Sequence, residues 1–159
     1  MTKIMFVCMG NICRSPLAHA VFEHILKREQ TDDGYLVDSS GTIDYHIGEK
    51  PDPRMRRTAE SHGIPMEHRA QQLTKEHLRQ FDHIICMDHE NKANALRLAD
   101  NNRDAQKICL LRDFDPAGPG DVPDPYFGGD EGFEKVFKIV SRSCEALFRN
   151  LSERQPDRR

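Results

Sequence analysis

The feature that most constrains the fold is a short predicted strand near the N-terminus whose side chains are apolar on both faces. Residues 3–8, KIMFVC, are apolar at every position after the lysine, which is typical of a parallel strand covered on both faces. Further strands are predicted at residues 35–39, 81–87 and 107–111. Helical patterns separate these strands, so we expect an α/β fold: a single three-layer domain with a four-stranded parallel sheet flanked by helices on both faces.

The predicted helices fill most of the remaining chain. Ser15 and Pro16 open the first helix, and we expect the serine to cap it. Other helices are predicted over residues 53–61, 74–80 and 89–98, and a long amphipathic helix over residues 133–151. The predicted domain takes in residues 1–159, with a frayed tail from about residue 153.

Charge and cysteine content argue against several classes of function. The chain has 23 basic and 26 acidic residues, a net charge of −3 that offers no footprint for nucleic acid or an anionic membrane. No apolar run approaches the roughly 18 residues of a membrane helix. Five cysteines without a secretion signal indicate free thiols in a reducing compartment. We therefore expect a cytoplasmic protein.

The spacing of histidines and cysteines offers little support for a metal site. Neither Cys-x-x-Cys nor His-Glu-x-x-His occurs in the sequence. We expect no metal and no cofactor, and we interpret Cys86, Cys109 and Cys144 as small buried hydrophobic residues.

The loop at residues 8–15 carries the strongest functional pattern. It joins the first strand to a helix N-terminus at the carboxyl edge of the sheet, where backbone N–H groups and the helix dipole attract anions. Gly10 and Asn11 tolerate a left-handed backbone, and Arg14 can hold two oxygens of a tetrahedral oxyanion. Because such a field stabilises a thiolate, Cys8 is predicted to be the nucleophile of a phosphatase that works through a phosphocysteine.

Cleavage of a phosphate ester also needs a proton for the leaving oxygen. Asp124 lies in a loop after the fourth strand that can reach the same edge of the sheet. However, Asp-Pro is also a common turn dipeptide. Composition alone does not choose among five nearby aspartates, which are Asp113, Asp115, Asp121, Asp124 and Asp130.

The segment VCMGNICRSP at residues 7–16 resembles the signature of the low-molecular-weight protein tyrosine phosphatases. The resemblance continues through residues 38–42 (DSSGT), 62–65 (HGIP), 81–82, 87–88 and 124–129 (DPYFGG), and so covers nearly the whole chain. It implies metal-free hydrolysis of aryl phosphates with a preference for phosphotyrosine, phosphotyrosine-containing proteins or peptides as partners, and inhibition by phosphate-like oxyanions. We expect a monomer and leave weak dimerisation open.

The resemblance also assigns roles to individual residues. It implies that Cys8 is the nucleophile, Arg14 the phosphate-binding arginine, Asp124 the general acid and Ser15 a hydroxyl that stabilises the thiolate. Met9, Tyr45 and Tyr126 are the candidate walls for a phenyl ring, with Phe127 as support. The residues expected to bind phosphate or substrate are Met9, Gly10, Asn11, Ile12, Cys13, Ser15, Tyr45 and Tyr126.

The resemblance further implies a supporting network and two departures from the family pattern. Asn11 is expected to hold the loop open together with Ser39 and His68. His19 stands where the family usually carries glutamate, so a salt bridge near the loop would be lost. Phe127 replaces the second tyrosine of a pair found in many animal members.

Alternative functions remain open at this point. An arsenate reductase would need a cysteine relay, which Cys86 and Cys109 in predicted strands do not provide. A phosphoarginine phosphatase would carry threonine in place of Ile12, and an inactive phosphotyrosine-binding module would lack the acid or the nucleophile.

We also predict that Cys13 forms a disulfide with oxidised Cys8, unless it only packs beneath the loop.

Overall fold

The apolar first strand lies inside the sheet, as the sequence predicts. In the computed structural model, which describes residues 1–126 and 128–154, four strands form a parallel sheet in the order β2-β1-β3-β4. They are β1 (Thr2–Cys8), β2 (Tyr35–Gly41), β3 (His83–Cys86) and β4 (Ile108–Leu110). The helices are α1 (Arg14–Arg28), α2 (Pro53–Ser61), α3 (Lys75–Gln80), α4 (His89–Leu98), α5 (Asn102–Gln106) and α6 (Asp130–Glu153).

Both faces of β1 are buried against helices. Ile4 and Phe6 pack in a core with residues of α1, α2 and α6, whereas Met5 and Val7 pack in a second core with residues of α3 and α4. Because successive side chains of a strand point to opposite faces, this division confirms the predicted α/β fold with helices on both faces. Within the described part of the chain, no helix has the length and apolar content needed to cross a membrane.

The strand order places the loop after β1 at a crevice in the sheet. β1 and β3 are neighbours in the sheet, but the connection after β1 runs to β2 on one side, whereas the connection after β3 runs to β4 on the other side. In open α/β sheets, ligands bind at this kind of switch point. Cys8 is the last residue of β1 and pairs with Gly41, the last residue of β2.

Several predicted boundaries differ from the observed ones. β3 and β4 are shorter than the apolar segments that predicted them, and β2 is two residues longer. Helix α5 was not predicted; it begins after Asn101, whose side chain accepts a hydrogen bond from the N–H of Asp104. Helix α6 is regular to Glu153, and residues 155–159 of the expected frayed tail lie outside the described residues.

The expected serine cap of α1 is wrong. The capping position is Cys13, which makes no side-chain capping hydrogen bond, and Ser15 lies inside the first turn. The hydroxyl of Ser15 is instead 3.0 Å from the sulfur of Cys8.

Replacing Leu147 with alanine should lower the free energy of unfolding by about 2–5 kcal/mol, because this α6 side chain is fully buried in the core and its removal leaves a cavity. The matched control is Leu96→Ala in α4, where the leucine is 38% exposed and the expected change is within about 0.5 kcal/mol. Urea denaturation of both variants measures the difference. Equal losses would contradict the assigned core.

Candidate active site

The loop between β1 and α1 makes a tight curl that depends on two small residues in different ways. Asn11 adopts a left-handed backbone with φ of 56°, as predicted. Gly10 does not have a positive φ, so that expectation is wrong for it. A Cβ atom at Gly10 would lie 2.9 Å from Cδ2 of His46, so a larger residue at this position would displace the His46 side chain.

Cys8 lies at the base of this loop with a hydroxyl beside its sulfur. Cys8 is 3% exposed, and its Sγ is 3.0 Å from Oγ of Ser15. Ser15 Oγ accepts a hydrogen bond from Nδ2 of Asn11 (2.8 Å), so its own hydrogen is available for Cys8 or for the Ser40 carbonyl oxygen at 3.3 Å. A hydroxyl that donates to sulfur stabilises its negatively charged form.

Arg14 is held in place by buried acceptors. Its NH1 group donates to Oδ2 of Asp88 (2.6 Å) and to the carbonyl oxygen of Val122 (3.0 Å). Burial alone would lower the pKa of the guanidinium, but Cys8 and Asp88 outweigh burial and raise that pKa. The side chain is only 4% exposed, so a fixed positive charge lies next to Cys8.

Asp88 is a site residue that the sequence reasoning missed. It lies between the end of β3 and the start of α4 and caps that helix, where its Oδ1 accepts a hydrogen bond from the N–H of Asn91 (2.7 Å). An aspartate at the carboxyl end of a strand next to β1 is the signal that could have indicated a partner for Arg14.

The expected network around Asn11 is present in part. Its Oδ1 accepts hydrogen bonds from Nε2 of His68 (2.9 Å) and from the backbone N–H of Gln71 (3.0 Å). The hydroxyl of Ser39 is 3.2 Å from Nδ1 of His19, and the carbonyl oxygen of Ser39 accepts from Nε2 of Gln71 (3.0 Å). Neither Gln71 nor the contact of His19 was predicted. Burial and the neighbouring His19 lower the pKa of His68.

Among the five candidate aspartates, Asp124 lines the cavity that contains Cys8. Its side chain is 37% exposed, with Oδ2 3.7 Å from NH2 of Arg14 and Oδ1 accepting from the N–H of Tyr126 (3.0 Å). The others have different surroundings: Asp113 accepts from the N–H of Leu110, Asp115 binds Arg112 and Arg142, Asp121 binds His89, and Asp130 starts α6.

The cavity has a volume of about 260 Å³ and apolar walls. Two exposed tyrosines are among the residues that line it: Tyr45 is 79% exposed and Tyr126 43%. The remaining lining residues are Cys8, Met9, Gly10, Ile12, Cys13, Arg14, Ile43, His46 and Asp124. Phe127, the predicted supporting residue, lies outside the described residues.

The cysteines other than Cys8 are in surroundings that disfavour thiolates. Burial, and then the neighbouring Cys8, raise the pKa of Cys13 well above its usual value. Burial raises the pKa of Cys109 to about 11 and also raises those of Cys86 and Cys144. All five cysteines are free thiols. Cys86 ends β3 and Cys109 lies in β4, as expected.

Comparisons with known proteins agree with this geometry. Residues 3–157 match the family model described as low molecular weight phosphotyrosine protein phosphatase. The human protein of that name is 42% identical over 146 residues (91% of this chain and 92% of the relative), and a low molecular weight protein-tyrosine-phosphatase of Streptomyces coelicolor is 40% identical over 156 residues (95% and 94%).

The fold agrees as well. The crystal structure of a protein tyrosine phosphatase from Entamoeba histolytica superposes with a TM-score of 0.94 at 36% identity, covering 98% of this chain and 99% of that one. With nearly full-length matches in both sequence and structure, the chain belongs to the low molecular weight phosphotyrosine protein phosphatase family.

Proposed function

We propose that this chain hydrolyses phosphotyrosine in proteins or peptides through a phosphocysteine intermediate, with Asp124 as general acid and base. The observation that carries the proposal is the position of the Cys8 sulfur, which lines a cavity together with Arg14 and Asp124 and has the Ser15 hydroxyl 3.0 Å away. A nucleophile, a fixed cation and a carboxyl group therefore face one space large enough for an aryl phosphate.

In the first step, the Cys8 thiolate attacks phosphorus and the bond between phosphorus and the tyrosine oxygen breaks. Arg14 and the backbone N–H groups of the loop hold the phosphate oxygens. Because Asp88 and Val122 already engage NH1 of Arg14, the rest of the guanidinium edge faces the phosphate. Protonated Asp124 donates its proton to the leaving phenolate.

In the second step, a water molecule replaces the sulfur on phosphorus. The Asp124 carboxylate takes a proton from this water, the water oxygen bonds to phosphorus, and the sulfur–phosphorus bond breaks. Inorganic phosphate leaves, the Cys8 thiolate is restored, and Asp124 is again protonated. No step needs a metal or cofactor, and other phosphate-like oxyanions compete for the same loop.

The shape of the cavity supports aryl over alkyl phosphates. Tyr45 and Tyr126 line the cavity together with Cys8. In our proposal a phosphate reaches Cys8 on a side chain long enough to pass these rings. A phenyl ring fits between such walls, whereas a phosphoserine side chain is too short. Ile12 lines the cavity and argues against phosphoarginine, which relatives with threonine at that position accept.

The setting of the activity follows from the thiols. Five free cysteines, including a nucleophile that must stay reduced, suit a reducing compartment. We therefore propose that the protein acts in the cytoplasm on phosphotyrosine proteins.

Replacing Cys8 with serine should reduce turnover of p-nitrophenyl phosphate by more than about 1,000-fold, because an alkoxide is far harder to form than a thiolate. Phosphate should still bind, since the loop and Arg14 are unchanged. The matched control is Cys109→Ser in β4, outside the cavity, which should keep near-normal rates. Activity within tenfold of the unmodified protein in Cys8→Ser would contradict the phosphocysteine step.

Replacing Asp124 with asparagine should reduce kcat by about 10²–10⁴-fold for substrates with basic leaving groups such as phosphotyrosine. The loss should be smallest for p-nitrophenyl phosphate, because its leaving group needs little protonation. A leaving-group series of aryl phosphates measures this slope. Asp121→Asn is the control and should keep the slope, since Asp121 binds His89. A uniform loss across the series would assign the acid to another residue.

Peroxide should inactivate the enzyme reversibly. It oxidises the Cys8 thiolate to a sulfenic acid, and the Cys13 thiol then condenses with it, forming the disulfide and releasing water. Mass spectrometry should show the Cys8–Cys13 crosslink, and thiol reductants should restore activity. In Cys13→Ser, recovery should be lost as Cys8 oxidises further, whereas Cys109→Ser should recover. Full recovery of Cys13→Ser would mean that Cys13 only packs beneath the loop.

A further inference from the structure

A second cluster of titratable side chains lies behind the phosphate loop. One nitrogen of His19, one nitrogen of His68 and one carboxylate oxygen of Asp38 lie within 4.8 Å of one another. Both histidines, together with Glu23, also line a separate cavity of about 340 Å³ that opens to solvent. The cavity containing Cys8 is lined by none of these four residues. The cluster is therefore reachable without passing through the proposed active site.

The hydrogen bonds of His68 fix which of its nitrogens carries hydrogen. Its Nε2 is 2.9 Å from Oδ1 of Asn11. That oxygen is an acceptor, because it also receives the N–H of Gln71 while Nδ2 of the same amide donates to Ser15. Nε2 of His68 therefore carries the hydrogen. In the neutral ring this leaves a lone pair on Nδ1, which lies 3.8 Å from Oδ1 of Asp38.

His19 has the same arrangement. Its Nε2 is 2.8 Å from a carboxylate oxygen of Glu23, one turn further along α1, and so donates to it. Its Nδ1 is 3.2 Å from the hydroxyl of Ser39, which can supply the hydrogen of that contact. Both imidazoles thus have one N–H oriented by an oxygen acceptor, and an ion at Nδ1 of His19 would replace the contact of that nitrogen with the Ser39 hydroxyl. Histidines that bind metal ions in proteins are usually oriented in this way.

We propose that His19, His68 and Asp38 form a binding site for a divalent transition-metal ion of the zinc class. The ligands would be Nδ1 of each imidazole and a carboxylate oxygen of Asp38, with water from the cavity in the fourth position. Two imidazoles and a carboxylate with one open position are a common donor set for zinc. Asp38 and Glu23 together balance the charge of the ion.

The fit requires only a modest contraction. Zinc–nitrogen bonds of about 2.0–2.1 Å place tetrahedral ligand atoms roughly 3.4 Å apart. Nδ1 of His68 is already 3.8 Å from Oδ1 of Asp38. The Asp38 carboxylate is held in this position, because its Oδ1 accepts from the N–H of Ser39 (2.8 Å) and its Oδ2 from Nε2 of Gln71 (2.9 Å).

The site would be connected to the phosphate loop through one hydrogen bond. A metal ion on Nδ1 of His68 leaves Nε2–H in place as donor to Asn11, so the ion would stabilise the observed loop. The ion touches none of the reacting atoms and takes no part in the proposed reaction.

Titration calorimetry with Zn²⁺ tests the site in Cys8→Ser protein, where the active-site thiolate cannot bind zinc. We expect one ion per chain. Adding His19→Gln removes a ligand and should weaken Zn²⁺ binding by at least about tenfold. Losing even a residue that only orients a ligand typically costs about 10–100-fold in metal affinity. Adding His24→Gln, an exposed histidine that lines the same cavity, should change the affinity less than twofold.

Two further measurements keep the test decisive. Co²⁺ bound to Cys8→Ser should show the intense visible absorption of four-coordinate cobalt, and His19→Gln should lose it. Should His19→Gln fail to fold by circular dichroism, Asp38→Asn removes a ligand while leaving both imidazoles. Absence of binding in Cys8→Ser, an unchanged affinity in His19→Gln or Asp38→Asn, or an equal loss in His24→Gln would each overturn the proposal.

Discussion

The active-site loop depends on the buried side chain of Asn11. This residue is 1% exposed and makes three hydrogen bonds: it donates to Ser15 and accepts from His68 and Gln71. A buried amide is tolerated only when its hydrogen bonds are made, and each stranded partner costs about 1–3 kcal/mol. The positive φ and these three bonds fix one shape for the loop. The Ser15 hydroxyl is thereby held beside the Cys8 sulfur.

The sheet restrains the same loop from its other side. Beyond β2, the backbone N–H groups of Thr42 and Ile43 donate to the carbonyl oxygens of Cys8 and Met9 at 3.0 and 3.1 Å. This continuation requires close contact, because a Cβ atom at Gly41 would lie 2.6 Å from the Met9 oxygen. Position 41 therefore has no space for a side chain, which explains the glycine. The loop is held between this backbone and the Asn11 amide.

Local patterns predicted much of this arrangement, and contacts between distant segments account for what they missed. The continuous apolar run of β1 and the residues of the loop indicated both the fold and the position of Cys8 and Arg14. The Asp88 contact joins Arg14 to a residue 74 positions away, which no local pattern encodes. Ser15 was expected to cap α1 because its type is common at caps. The buried sulfur and amide nearby take its hydroxyl instead.

The electrostatics of the loop suit one anion rather than two. Cys8 and Cys13 line the same cavity, yet they differ in surroundings: Cys8 faces the Ser15 hydroxyl, whereas burial, Cys8 itself and Asp52 raise the pKa of Cys13. Cys13 therefore stays a neutral thiol at neutral pH. A second thiolate would repel an incoming phosphate dianion and compete with it for Arg14. In the proposed reaction, a neutral Cys13 would keep the positive field of the loop for Cys8 and the phosphate, as nucleophilic attack on an anionic substrate requires.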